Sequence, residues 1–475
     1  MKKLLSIALF FTFNFLLYAQ DSERLTLDQA IQIGLQNSNT IKQVRSQLEQ
    51  SRYSLQSWKL YYASNAMLSV DAPKYTNNFR EVPDPQTGKI HIIRQDWVSH
   101  RAFMIVNQPI LITDGNLYLK NSLYNLRQPD DITYQSDITL NYNQPLFKTS
   151  TRKISLNIAE INLDRARLNY AKEKRNLIYN ITERFFNLLK TQKRLEMAQE
   201  AVKRSQNIYE MAKTKYRAGV YTEMDLLRDK VEMANDQTTL MNLSVEYKDH
   251  LKAFLVFIGH KNDHEIDIAH IFSLDTLAIT ESQLLQEAIK NDPDKRISEM
   301  DIKLRELDVK QVDAQSQFSI DMNLEYGFSQ IENRLDRLLS QPDRSQIASI
   351  SFNIPLWDSG QNKQSVLAAQ ENLTGAKLHF KSVNDQLELH VAEIYSSLEK
   401  NKKLLEITET NKRDAEKSYQ YRLMMYNAGN ITSEDLARAR DQLNQASLNN
   451  LNAKIEYMLA VEQVRKLLTE IEEQQ

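Results

Sequence analysis

The chain has 475 residues, with 60 basic against 62 acidic side chains and no cysteine. So even a balance excludes a basic surface for nucleic acid and any like-charge tail, and the lack of cysteine excludes disulfides and a thiol-attached lipid. Only 9 Gly and 9 Pro interrupt the chain, a scarcity that favours long helices over compact α/β domains.

The first segment, "MKKLLSIALFFTFNFLLYAQ", places Lys2 and Lys3 before a mostly apolar run from Leu4 to Leu17, with Ala19 at a small-residue cleavage position. This pattern reads as a secretory signal peptide over 1–20, cut near Ala19/Gln20. It is shorter than the ~20 apolar residues of a spanning helix, and no apolar run of 18 follows, so any membrane passage must use strands. Residues 39–62 read as a helix. Strand candidates follow near 65–73, 90–110, 114–125 and 133–147, the last ending in "NYNQPLF" (Asn141 to Phe147).

A helical arm is expected over 151–217, broken at "YRAGVYTEMD" (Tyr216 to Asp225), with a returning helix over 220–258. The segment 258–280 carries His260, His264 and His270 and has little periodicity, which suits a collar between two halves. Three loop histidines without defined spacing do not make a metal site, and none is assigned.

The second half repeats the first at an offset of 210. A helix over 294–317 leads to strands at about 317–329 and 346–357, then an arm over 361–427, a break at "YNAGNITSED" (Tyr426 to Asp435) and a return over 431–470. The offset pairs Pro145 with Pro355, Glu183 with Glu393, Tyr216 with Tyr426, Gly219 with Gly429 and Tyr247 with Tyr457. A register kept this long marks a tandem duplication, with repeats expected over 21–260 and 261–475. Along the second arm, Leu373, Ala376, Phe380, Val383, Leu387, Val391, Ile394 and Leu398 step by three and four, as a coiled-coil seam does. An arm of this length extends about 100 Å.

The cleanest strand is "FSIDMNLEYGF", in which Phe318, Ile320, Met322, Leu324, Tyr326 and Phe328 face one way and Ser319, Asp321, Asn323 and Glu325 the other. Such alternation suits a barrel strand with lipid outside and Ser319, Asp321, Asn323 and Glu325 facing a wet lumen. Two strands in the second repeat and two to four in the first are too few to close a membrane barrel, whose minimum is about eight. Copies of the chain must therefore pool their strands; four from each of three copies would make twelve.

Each break also has a local explanation. Thr222 with Asp225, and Thr432 with Asp435, fit N-terminal capping pairs, and Asp225 with Arg228 and Asp435 with Arg438 are spaced to pair on a helix surface.

Taken in order, the signal peptide, the duplicated strand–arm–return unit, the strand ends "NQPLF" and "NIPLW" and the breaks "YRAG…D" and "YNAG…D" resemble the TolC-like outer membrane efflux proteins, also called outer membrane factors. The resemblance implies a mainly α fold with a β-barrel portion: long coiled-coil helices forming a periplasmic tunnel below a twelve-stranded barrel shared by a homotrimer. It further implies an export duct in the outer membrane, in contact with its lipid, serving tripartite efflux or type I secretion. The partners implied are a periplasmic adaptor (membrane fusion protein) and an inner-membrane pump of the RND, ABC or MFS type. The tips of the breaks would dock the adaptor through Ala218, Gly219, Val220, Thr222, Ala428, Gly429, Asn430 and Ser433. The second break would form the constriction, with Tyr426, Asp435 and Arg438. This chain departs from the pattern in a longer first strand region, where "NQPILITDGN" (Asn107 to Asn116) looks like a further strand end. No cofactor and no catalytic constellation is expected. The competing reading is a secreted or surface-anchored coiled-coil structural protein without a lumen.

Overall fold

The computed structural model describes residues 24–85, 88–128, 131–260, 267–268, 277–338 and 340–469. The signal-peptide segment, His264 and His270 lie outside them. The chain divides into two compact units, each drawing on both halves of the sequence.

One unit comprises Val44–Tyr170 and Asp292–Leu387 and holds a single six-stranded antiparallel sheet. Its strands are β2 (Asn65–Pro83), β3 (Ile90–Ile110), β4 (Gly115–Arg127), β5 (Ile132–Pro145), β7 (Ser319–Glu332) and β8 (Asp343–Asn353), hydrogen-bonded in that order. This protomer contributes six strands, the upper end of the four to six read from the sequence and two more than a twelve-stranded trimer needs, because the longer first strand region folds as two hairpins. Antiparallel neighbours need only short turns, so a hairpin inserts into a meander without disturbing the strands on either side. The ladder is continuous: Asn107 of β3 is in register with Asn65 and Tyr118, Tyr118 with Asn141, Asn141 with Glu325, and Glu325 with Ile347. Beyond β4, β2 and β3 continue as a two-stranded ribbon that pairs Thr76 with Trp97 and Pro83 with Ile90.

The sheet is inside out relative to a soluble one. Leu119, Leu140, Tyr326 and Phe352 are exposed on one face, whereas Ser122, Asn141 and Ser319 on the other are buried. Asn143 donates to Asn323 at 2.5 Å, and Ser122 and Ser329 both donate to Asp137, at 3.0 and 2.6 Å. Polar side chains here satisfy one another across strands. Below the sheet, α2 (Asn39–Leu60) packs Leu55 against Ala159 and Leu163, and Arg165 of the long helix pairs with Asp301 of α6 (Pro293–Asp313) at 2.7 Å.

The other unit gathers the chain up to Gln43, Ala171–Asn291 and Glu388–Glu470. Here β1 (Arg24–Leu25) pairs in parallel with β6 (Asp267–Ile268), beside α1 (Leu27–Asn37) and α5 (Glu281–Asn291). Two 67-residue helices, α3 (Thr151–Arg217) and α7 (Gln361–Asn427), contribute to both units. Each is followed by a 36-residue return, α4 (Glu223–Ile258) and α8 (Ser433–Leu468). The seam of α7 is buried at Leu387, Val391, Ile394 and Leu398 but only half-buried at Leu373, Ala376, Phe380 and Val383. The core centres on Ile181, Phe185, Leu188, Leu189, Ile258 and Leu284, each at most 1 % exposed. Phe185 meets Phe254 edge-on with ring centroids 6.0 Å apart.

Truncating this aromatic core gives the first prediction. Phe185→Ala should cost about 3–5 kcal/mol, read as a lowered thermal transition of the purified protein with strand content retained.

Candidate functional site: the paired helix breaks

Both breaks use one backbone device. Gly219 and Gly429 adopt φ of +72° and +77°, a left-handed conformation that glycine enters without a Cβ clash. Gly219 N–H donates to the Tyr216 carbonyl and Val220 N–H to that of Lys215, both at 3.0 Å; Gly429 and Asn430 do the same to Tyr426 and Met425. Three residues after each glycine, Thr222 and Thr432 restart the chain as N-caps. Asp435 N–H donates to the Thr432 hydroxyl oxygen at 3.2 Å, and the Thr432 hydroxyl and N–H donate back to the carboxylate at 2.7 and 3.3 Å. Thr222 and Asp225 repeat this arrangement. The Thr432 hydroxyl and amide hold the Asp435 carboxyl below the ordinary carboxylate range. Arg228, then Thr222, do so for Asp225.

The surface pairs differ between the copies. Arg228 binds Asp225 at 2.8 Å, but Arg438 binds Glu434 at 2.5 Å; the first copy has Met224 in place of Glu434, which leaves Arg228 no such partner. Arg438 is exposed. Tyr426, expected at the constriction, is fully buried. It packs with Ile208, Tyr419, Leu436 and Ala439, accepts a hydrogen bond from the Tyr221 hydroxyl at 2.8 Å, and carries the Lys215 ammonium 4.0 Å from its ring centroid. Lys215 also donates to the Tyr426 carbonyl at 3.2 Å. Tyr426 therefore ties the two breaks together, because an aromatic ring with one polar tip fills a core only where that tip is satisfied. Ala218, Gly219, Val220, Ala428, Gly429 and Asn430 are all exposed, as is Thr222.

Neither Lys215 nor Tyr221 could be found from the duplication, since their counterparts at the offset of 210 are Met425 and Ile431. A buried charge cluster was hidden for the same reason. Arg440 on α8, its side chain 5 % exposed, pairs with Glu232 of α4 and reaches Asp441 at 3.4 Å. Asp229 of α4 is buried nearby with one carboxylate oxygen unpaired. Burial, reinforced by Asp225 and Glu232 and opposed by Arg228 and Arg440, pushes its pKa up to about 6. The counterparts of Asp229 and Arg440 are Ala439 and Lys230.

The outer side of α4 was also not anticipated. Val220, Met224, Leu227, Val231, Ala234, Thr238, Met241 and Val245 advance in steps of four and three, and all are exposed. This is a coiled-coil seam without a partner in the protomer. In α8 the first corresponding residues are Asn430, Glu434, Ala437 and Asp441.

Among the described residues no cluster of His, Asp and Glu could hold a metal ion; His260 follows the end of α4. No described helix is long and apolar enough to cross a membrane.

An apolar-outward sheet joined to two pairs of long antiparallel helices defines a channel class of the outer membrane, and the comparisons agree. The model of the outer membrane efflux protein family matches residues 108–260 and 284–470, and the chain belongs to that family. Among solved structures, the Vibrio cholerae outer membrane protein VceC is similar at a TM-score of 0.70 and 15% identity, covering 94% of this chain and 97% of that one. The Campylobacter jejuni outer membrane channel CmeC follows at 0.69 and 16%, covering 93% and 85%. The open state of the Neisseria gonorrhoeae outer membrane channel MtrE matches at 0.67 and 14%, covering 93% and 88%. No curated protein sequence matches. Family and structural neighbours are channels rather than enzymes.

Asp229 predicts a pH dependence. Its folded pKa lies above the unfolded value near 4, so the stability it supports is complete below pH 4 and lost as pH rises through about 6. Asp229→Asn should leave stability unchanged at pH 4 and raise it by about 2–3 kcal/mol at pH 7–8, measured by unfolding at both pH values.

Proposed function

We propose that the protein is the outer-membrane duct of an export system, assembled as a homotrimer and reaching from the outer membrane into the periplasm. In this reading it receives substrate from an inner-membrane pump through a periplasmic adaptor. The inside-out sheet supports it most: an apolar face of exposed Leu119, Leu140, Tyr326 and Phe352 backs onto a hydrogen-bonded polar face. That is the polarity of strands between lipid and a wet lumen. A soluble cap on a coiled coil would bury the apolar face instead. The exposed α4 seam supports self-association, since eight residues at coiled-coil spacing require a facing helix.

Within this duct, Ser319, Asp321, Asn323 and Glu325 line the barrel lumen. The exposed small residues of the breaks, Ala218, Gly219, Val220, Ala428, Gly429 and Asn430, with Thr222 and Ser433, form the adaptor-docking tips. Small side chains let a partner helix approach the backbone closely. Asp435 contributes one carboxylate per copy to a ring around the axis, an arrangement that selects cations, while also capping α8. Arg438 flanks that ring, and Tyr426 stabilises the closed tips from behind.

Two experiments test this reading. Leu140→Arg on the apolar face should cost about 2–4 kcal/mol in the bilayer and reduce outer-membrane insertion, whereas Thr139→Arg on the opposite face should insert normally. Equal insertion of both variants would favour the lumen-free structural protein. In planar bilayers, Asp435→Ala should raise resting conductance or weaken block by multivalent cations; a lower melting temperature with conductance and block unchanged would leave Asp435 only its cap.

A further inference from the structure

Six strands per protomer change the barrel. We infer that β2 of one copy seals against β8 of the next, so that three copies close an eighteen-stranded barrel; the number of copies rests on the trimeric duct proposed above. Six strands cannot close alone, because the smallest membrane barrels have eight, and an open edge is not tolerated in lipid. Among the described residues β2 pairs only with β3, and β8 only with β7. The two free edges are compatible in direction. Six strands alternate in an antiparallel meander, so the first and last run oppositely, and β8 meets a neighbour's β2 in the same antiparallel sense as every other pair.

The additional hairpin, β2–β3, is built as a barrel hairpin. Its outward residues Leu68, Val70 and Met104 are exposed like those of the other strands. It also ends in the same lock as β4–β5. Asn107-Gln108-Pro109 recurs 36 residues later (143 minus 107) as Asn143-Gln144-Pro145. Gln108 donates to the carbonyls of Tyr62 and Pro109 at 3.1 and 2.8 Å; Gln144 donates to those of Thr113 and Pro145 at 2.7 and 2.8 Å. Each lock ties the last strand of a hairpin to the segment that leads into its first strand. The match to the family model begins only at residue 108, so β2 and nearly all of β3 lie outside it. Each free edge carries an apolar side chain on the inner face, Met67 on β2 and Ile347 on β8, each 54% exposed; Ile105 and Phe103 of β3 lie on that face beside Met67 and Ser69. Edge-to-edge closure brings these two sides of the inner face together.

Barrel diameter grows roughly linearly with strand number. Eighteen strands therefore make a lumen about 1.5 times as wide as twelve, and the outer mouth would accept bulkier cargo or leave room for the β2–β3 ribbon.

The absence of native cysteine makes the seam directly testable by disulfide trapping in outer membranes. Cysteines at Asn65, Met67 or Ser69 on β2 are combined with cysteines at Ser345, Ile347 or Ser349 on β8, all on the inner face, so that a pair meets at registers about four residues either side of a Met67–Ile347 alignment. A second set combines Tyr118 or Lys120 on β4 with the same β8 positions. Oxidation should convert the monomer to a covalent trimer with at least one β2–β8 pair and with no β4–β8 pair. Trimers from β4–β8 pairs would mean a twelve-stranded ring with the first hairpin outside it. A β2–β8 ladder that stops at dimer, or silence from every β2–β8 pair in a protein that chemical cross-linking shows to be trimeric, overturns the eighteen-stranded barrel while leaving the duct intact. Failure to find any trimer would overturn the duct reading as well.

Discussion

The structure depends on the pairing of backbone groups in a sheet whose apolar face points outward. A sheet that presents Leu140, Tyr326 and Phe352 on one face is suited to lipid, and in lipid every amide must find a partner within protein. Four of the six strands satisfy this through neighbours on both sides. The outer two cannot within one copy. In the proposed duct the sheet is therefore the part of the molecule that calls for a neighbouring copy.

The helical breaks solve a different problem. These two 67-residue helices are stopped where the backbone enters the left-handed region, and the four orphan amides of each returning helix then need acceptors. Glycine followed by a Thr-x-x-Asp cap meets both needs in few residues, and duplication of the gene segment supplied the solution twice. The copies have since diverged in what surrounds the cap. The first presents Tyr221, Lys215 and an apolar α4 stripe; the second presents Tyr426 and a polar α8 tip. Two breaks with one backbone can thus take different partners, because the cap leaves the neighbouring side chains free to vary.

How far the sequence could be read depended on whether a feature is periodic. The arms, the breaks, the caps at Thr222 and Thr432 and the alternating strand at 319–332 are written in local spacing, which a helix or strand converts directly into a face. The 210-residue offset extended that reading from one half to the other. Features specific to one copy escaped it. The family resemblance alone points to Tyr426 as a constriction residue, yet it is buried, whereas its counterpart Tyr216 is exposed. Arg438 sits at the right spacing for Asp435 but turns to Glu434, which stands where the first copy has Met224.

Local pattern by itself determined the class of fold, the lengths of the long helices and the need for strands to be pooled between copies, because helix and strand periods are set by the backbone. Only the tertiary structure decided that the first strand region forms two hairpins in register with the rest, that Asp229 and Arg440 are buried together, and that the α4 seam faces outward. Those outcomes depend on which distant segments meet, and contact between residues 200 positions apart leaves no trace in the spacing of either one.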